Sequence, residues 1–127
     1  MDRTQFQKIT EQFLSAWNSQ DVERLIACYT DDLIYCDPNT RGEIRNKDAL
    51  RRFLKKLFDN WQMEWSLREV YLFADKDGGA LFWHAKFRKA DGERTVEANG
   101  VDLVLVRSNL IERSETYFDR SVLTSLL

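Results

Sequence analysis

Asp102 is the residue whose surroundings most directly suggest chemistry. It lies in the apolar run Gly-Val-Asp-Leu-Val-Leu-Val of residues 100–106. Because an unpaired charge is expensive to bury, either burial raises the pKa of Asp102 and makes it a neutral hydrogen-bond donor, or a cation neutralises it. Arg113, on the next predicted strand, is the candidate cation. The two alternatives predict opposite pKa shifts, and the sequence leaves both open.

Asp37 is the second acidic candidate, because it directly precedes Pro38, the only proline. A carboxylate held at a bend near a cavity mouth could act as a general base. Alternatively, an aspartate before a proline stabilises a turn by accepting hydrogen bonds from nearby backbone groups. Both interpretations remain open at this stage.

Arg113, Glu115 and Tyr117 recur at alternate positions, so they share one face of a predicted strand. We expect them to form a polar stripe on a pocket wall that positions substrate. The alternative is a polar network with a structural role only. His84, the single histidine, alternates with Trp83 and Ala85 and is therefore expected to point away from the core, more consistent with a subunit interface than with catalysis.

Aromatic residues are abundant, with four Trp, four Tyr and eight Phe. Such a content in a small chain suits an apolar cavity or a flat interface. Trp17, Trp61 and Trp83 are predicted to line a pocket for a flat apolar or aromatic molecule.

The elements that must position these residues fall into two halves. Apolar residues at three- and four-residue intervals predict three N-terminal helices: one with a Thr4–Gln7 capping box that ends near residues 18–20, a short one capped by Asp21 with Tyr29 on its apolar face, and one from Asn46 or Asp48 with Trp61 on its apolar face. Asp31-Asp32 is expected to end the second helix, before a short strand at 33–37.

Alternating residues separated by turn signals then predict strands at 63–74, 80–89, 94–107 and 110–118, and Asp119 is expected to cap a last helical turn. Helices followed by an antiparallel meander predict an α+β fold with the helices on one face of the sheet.

Composition excludes several classes of function. The 127 residues, 43% hydrophobic and 31% charged, predict one globular domain spanning 1–127. A net charge of −2 without a basic stripe argues against nucleic acid. No apolar run approaches the roughly 18–20 residues of a membrane span, and no signal peptide is evident, so a cytoplasmic location is expected. Two cysteines and one histidine are too few for a zinc site, and neither a metal nor an organic cofactor is predicted.

Three stretches together resemble the SnoaL-like, ketosteroid-isomerase-like branch of the nuclear transport factor two-like superfamily. They are 16–21 (AWNSQD) leading into 29–38 (YTDDLIYCDP), 100–106 (GVDLVLV) and 117–120 (YFDR). The resemblance implies a strongly curved antiparallel sheet wrapped around three N-terminal helices, with a cone-shaped pocket. It also implies a homodimer formed through the outer face of the sheet.

The resemblance also implies roles for individual residues. Asp37 matches the general base of ketosteroid isomerases, and Asp102 matches the acid that is kept protonated to donate to an oxyanion, a known example of a neutral buried carboxyl. Phe13 replaces the tyrosine that supplies the family's other oxyanion donor. The strand at 80–89 presents Trp83, Ala85 and Phe87 where the epoxide-hydrolase branch needs an Asp and an Arg.

The sequence thus supports two hypotheses. The first is a cofactor-independent isomerase, cyclase or dehydratase that acts next to a carbonyl, with Asp37 as base and Asp102 as acid or orienting group. The second is a non-catalytic ligand-binding or dimerisation module, favoured by Phe13 and by a possible Asp102–Arg113 pair. An ionised Asp102 bound to Arg113 would support the second hypothesis.

Overall fold

The computed structural model describes all residues from Met1 to Leu127. Four helices form: α1 (Arg3–Ser19), α2 (Val22–Ile26), α3 (Lys47–Asn60) and α4 (Ser121–Thr124). Side-chain oxygens of Asp2, Asp21 and Asn46 accept backbone N–H bonds in the first turns of α1, α2 and α3. These caps satisfy donors that a helix start leaves without partners, which explains why the helices begin where they do.

Five strands form one sheet in the order β1-β5-β4-β3-β2. Their bounds are β1 (Tyr29–Cys36), β2 (Trp61–Leu72), β3 (Gly78–Lys89), β4 (Thr95–Arg107) and β5 (Leu110–Tyr117). β1 runs parallel to β5, and every other neighbouring pair is antiparallel. The predicted α+β class, with a curled and mostly antiparallel sheet beside N-terminal helices, is confirmed.

Register shifts occur in three strand pairs. Extra residues lie between Tyr29 and Ile34 of β1, between Leu67 and Glu69 of β2, and, opposite Leu105 and Val106 of β4, at Glu112 of β5. Extra residues at such positions bend a strand and increase its twist. The sheet curls towards the helices, and one core cluster of 22 buried hydrophobic residues lies on that side. In β3, Leu81, Trp83, Ala85 and Phe87 are all buried, as the alternation predicted.

Several predicted boundaries are wrong. The capping box of α1 joins Asp2 to Gln5, not Thr4 to Gln7. Tyr29 begins β1 and does not belong to α2, and Asp31-Asp32 lies within β1, at its register shift. Trp61 begins β2, because its extended backbone ends α3. A helical face and an alternating strand both accept an apolar residue at these junctions, so periodicity alone does not separate them.

Amide side chains from the end of α1 cover the outer edge of β2. The Asn18 amide donates to the Trp65 carbonyl at 2.9 Å and accepts from the Trp65 N–H at 2.7 Å. The Gln20 amide bonds two residues nearer the start of β2: it donates to the Trp61 carbonyl at 3.0 Å and accepts from the Met63 N–H at 2.8 Å. α1 therefore fixes the strand that carries Trp61, Met63 and Trp65. None of the helices has the length and apolarity needed to cross a membrane.

Candidate functional site

A narrow cavity lies between the curled sheet and the helices. About 50 Å³ is open to the centres of water-sized molecules. Ten of the 14 lining residues are hydrophobic; the lining consists of Leu14, Trp17, Tyr35, Asp37, Asn39, Leu57, Trp61, Met63, Trp65, Phe87, Asp102, Thr116, Phe118 and Leu123. Asp37 and Asp102 are the only ionisable carboxyl groups in this wall, so the structure brings both predicted catalytic residues to one cavity.

Asp102 is buried on β4, with 5% of its surface exposed. The Trp83 indole Nε1–H donates to Asp102 Oδ1 at 3.0 Å, and Thr116 lies directly opposite on β5. Burial raises the pKa of Asp102 to about 7, although the Trp83 and Thr116 hydrogen bonds lower it. The charge of Asp37 raises this pKa further. Near neutral pH, Asp102 therefore has a substantial neutral population.

Gly100 makes the position of Trp83 possible. The two residues face each other across the β3–β4 pair, and the Trp83 ring covers the space where a side chain of residue 100 would lie. A Cβ atom on Gly100 would come within 2.3 Å of Trp83 Cζ2 and within 2.7 Å of the Tyr117 carbonyl oxygen. The glycine thus leaves room for the indole, whose N–H reaches Asp102.

Asp37 is half-buried after β1, and three donors orient its carboxylate. Oδ1 accepts from the backbone N–H groups of Asn39 at 2.7 Å and Thr40 at 3.0 Å, which is the turn geometry expected of an Asp-Pro bend. Oδ2 accepts from the Tyr35 hydroxyl at 2.6 Å. Burial, together with the nearby Asp37 charge, raises the pKa of Tyr35 well above its usual value, so the hydroxyl keeps its proton and donates. The turn and the cavity-lining interpretations therefore both describe Asp37.

The predicted tryptophans take different positions. Trp17 and Trp61 line the cavity, whereas Trp83 is fully buried behind it and contacts the site through Asp102. Trp65 also lines the cavity, packs edge-on against Trp83 with 4.7 Å between ring centroids, and has a buried Nε1–H without an acceptor. A buried donor without a partner costs free energy, which a ligand acceptor could recover.

The predicted polar stripe lies on the other face of β5, and the expectation that it lines the pocket is wrong. Arg113 Nη1 donates to Glu115 Oε2 at 3.0 Å and to Glu43 Oε2 at 3.2 Å, and the Tyr117 hydroxyl donates to Glu115 Oε1 at 2.7 Å. Strand alternation gives the inner face to the intervening residues Ser114 and Thr116, which are buried. The Glu115 hydrogen bond raises the pKa of Tyr117 to about 12.

An Asp102–Arg113 ion pair does not form, because the two side chains lie on opposite faces of the sheet. Both Arg113 ion pairs are to glutamates, whereas the hydrogen bond to Asp102 comes from an uncharged indole. The alternative in which a cation neutralises Asp102 is therefore wrong, and the opposite pKa direction holds.

His84 also points away from the cavity, as alternation predicted. Its ring nitrogens pair with Asn99 Oδ1 at 2.8 Å and Glu97 Oε1 at 2.9 Å. The hydrogen bond to Asn99, followed by the one to Glu97, raises the pKa of His84. No three His, Cys, Asp or Glu side chains come together in an arrangement that could hold a metal ion.

Sequence reasoning did not assign Tyr35, Asn39, Thr116 or the Trp65 N–H to the site. Tyr35 and Asp37 are two residues apart, and this spacing places two strand side chains on the same face. The sequence could therefore have predicted that Tyr35 lies beside Asp37. The sequence indicates the inward direction of Thr116 less clearly, because that direction depends on which face of the strand is buried. The lack of an acceptor for Trp65 depends on three-dimensional packing and has no sequence signal.

The curled sheet, helices α1 to α3 and the cavity between them define a protein of the nuclear transport factor two-like superfamily. Within it, the chain belongs to the SnoaL-like domain family, whose sequence profile matches residues 10–114. A search among curated proteins gives no match.

Solved structures share the fold at low sequence identity. A candidate isomerase from Bacillus subtilis superposes with a TM-score of 0.88 at 13% identity, covering 99% of this chain and 95% of the other. A candidate polyketide cyclase from Pseudomonas putida gives a TM-score of 0.79 at 17% identity, with 94% and 95% covered. An epoxide hydrolase from M. tuberculosis of the LEH-like type gives 0.77 at 19% identity, with 97% and 90% covered.

Proposed function

We propose that this chain, acting as one domain, is a cofactor-independent enzyme that removes a proton from carbon next to a carbonyl group of an apolar small molecule. The observation that carries the proposal is the pair of unlike carboxyl groups in one aromatic cavity. Asp37 is held by three donors, and Asp102 is buried with a pKa raised to about 7. Carboxyl groups whose environments differ in this way suit separate base and acid roles.

In the proposed step, the Asp37 carboxylate takes the proton and the C–H electron pair forms the enolate. The negative charge moves to the carbonyl oxygen, to which neutral Asp102 donates a hydrogen bond. Return of the proton to another carbon gives an isomer. Attack of the enolate carbon on a second carbonyl of the same molecule gives a ring, and the oxygen of that second carbonyl takes the proton back from Asp37. The solved structures described as an isomerase and a polyketide cyclase support this class of reaction.

Trp65 supplies a second donor in this proposal. Phe13 has no hydroxyl, and it is buried against Tyr29, whose own hydroxyl pairs with Ser114 at 2.9 Å. Trp65 lines the cavity and its Nε1–H has no partner in the protein, so in this proposal it replaces the donor that Phe13 cannot provide, once substrate displaces the side chains that enclose it. Removal of one oxyanion donor typically costs about 10²–10³ in rate, so the replacement matters for turnover.

The test is solvent exchange on 2-tetralone, a flat apolar ketone with acidic protons next to its carbonyl. Deuterium incorporation from D₂O is followed by NMR with the wild type, Asp37→Asn, Asp102→Asn and the control Asp59→Asn, which alters an exposed residue near the end of α3. We expect Asp37→Asn to remove about 10²–10⁴ of the acceleration. Asp102→Asn should lower the exchange rate by less than the loss of a whole oxyanion donor would, because the amide keeps an N–H. The control should exchange at the wild-type rate.

The second candidate, a non-catalytic ligand-binding module, is favoured by the small inner volume of about 50 Å³. It predicts that 2-tetralone shifts the tryptophan indole signals without any accelerated exchange. Equal exchange rates for the wild type and both Asn variants would overturn the enzymatic proposal.

A further inference from the structure

A wider vestibule opens next to the inner cavity. By the same measure it offers about 480 Å³, against about 50 Å³ inside. Four residues line both spaces: Asn39, Leu57, Trp61 and Leu123. The two spaces therefore lie side by side and share a wall.

All charged side chains that line the vestibule are cations. Lys56 comes from α3, Lys89 from the end of β3, and Arg120 from the residue before α4. None of the three has a carboxylate within ion-pair distance, although ten ion pairs form elsewhere in the chain. The chain carries a net charge of −2, so these free cations do not reflect a general excess of basic residues.

Two of the cations contact residues of the shared wall. Lys89 Nζ lies 5.7 Å from the centroid of the Trp61 ring, and Arg120 Nε donates to Asn39 Oδ1 at 2.6 Å. Asn39 in turn donates its backbone N–H to Asp37. Cations from three separate elements thus converge at the outer side of the wall that bounds the inner site.

We propose that the vestibule is an anion subsite, which binds a carboxylate or phosphate group on a ligand whose apolar carbonyl portion enters the inner cavity. This inference rests on the proposed function and narrows its substrate class to amphipathic acids. An anion held by Lys56, Lys89 and Arg120 orients the ligand with its neutral end towards Asp102. It also keeps the ligand charge outside the apolar wall, where it would be costly to bury.

The experiment compares three matched probes: 2-naphthylacetic acid, 2-naphthylacetamide and 2-naphthyl phosphate. Affinities are measured at low and high salt by calorimetry and by the shifts of the four tryptophan indole signals. We expect the acid and the phosphate to bind more tightly than the amide, with an advantage that salt reduces. The tighter of the two anions identifies the preferred group.

Lys56→Gln, Lys89→Gln and Arg120→Gln should each weaken binding of the anionic probes, by about 1.5- to 5-fold as for exposed ion pairs. Lys56→Gln should leave amide binding unchanged, because Lys56, unlike Lys89 and Arg120, makes no contact with Trp61 or Asn39. Lys55→Gln is the matched control, because Lys55 precedes Lys56 on α3 but does not line the vestibule. Equal affinities for acid and amide, or equal effects of Lys55→Gln and Lys56→Gln, would overturn the anion subsite and leave the inner site intact. Failure of all three probes to bind would also overturn the anion subsite, whereas the proposed proton abstraction is tested separately by exchange on 2-tetralone.

Discussion

Replacement of Asp102 by Asn should change how the free energy of unfolding depends on pH. The folded pKa of Asp102 is about 7 and its ordinary value is 3.8, so between these values the folded state holds a proton that the unfolded state releases. Stability from this group is therefore fully present below pH 3.8 and is lost as pH rises through 7. At 1.36 kcal/mol per pKa unit, the total loss is about 4 kcal/mol.

The assay is urea unfolding of the wild type and Asp102→Asn at pH 5 and pH 8. Asn keeps an acceptor oxygen for the Trp83 N–H but does not titrate, so other titrating groups largely cancel in the comparison. The wild type should lose roughly 3 kcal/mol more than the variant over this range, and the variant should be the more stable protein at pH 8. A difference between the two proteins that stays constant from pH 5 to 8 would refute the raised pKa. A difference of opposite sign would indicate an ionised, paired Asp102.

Four further perturbations follow from the same contacts. Any exchange activity on 2-tetralone should fall as pH rises through about 7, because Asp102 then loses the proton it donates; a rising profile would contradict the acid role. Trp65→Phe should destabilise the fold less than Trp83→Phe in urea unfolding, because only the Trp83 N–H loses a hydrogen bond, worth about 0.5–1.5 kcal/mol. Gly100→Ala should cost about 1–3 kcal/mol or more, because its Cβ would overlap the Trp83 ring, and should alter the Trp83 indole NMR signal; a neutral effect would contradict the close approach. Arg113→Ala should change stability by less than about 1 kcal/mol and leave the NMR-titrated pKa of Asp102 in place, since the two residues lie on opposite faces.

The sequence predicted the elements better than their junctions. The inward residues of β3 followed from strict alternation, and all four are buried. The predictions at Tyr29 and Trp61 are wrong because both residues are buried or half-buried near the point where a helix ends and a strand begins. An apolar residue at such a point fits both the helical and the strand periodicity.

The site shows the same division. Asp102 could be identified as a costly buried carboxyl from its apolar neighbours, and Asp37 from the Asp-Pro turn and the family resemblance. The face of β5 could not be fixed, because alternation states which residues share a face but not which face is buried. That choice depends on the register between β4 and β5, in which Thr116 opposes Asp102. The sequence therefore predicts Arg113, Glu115 and Tyr117 on the cavity face of β5, whereas they lie on its outer face.

The amides of Asn18 and Gln20 occupy the backbone groups that another strand would use to join β2. An exposed strand edge is a template for association between chains, and β2 carries two tryptophans next to that edge. Partial detachment of α1 would therefore expose the unpaired backbone edge of a strand rich in aromatic residues while most of the sheet remained formed. We therefore expect aggregation under mild heat or denaturant to begin where the end of α1 undocks from this edge.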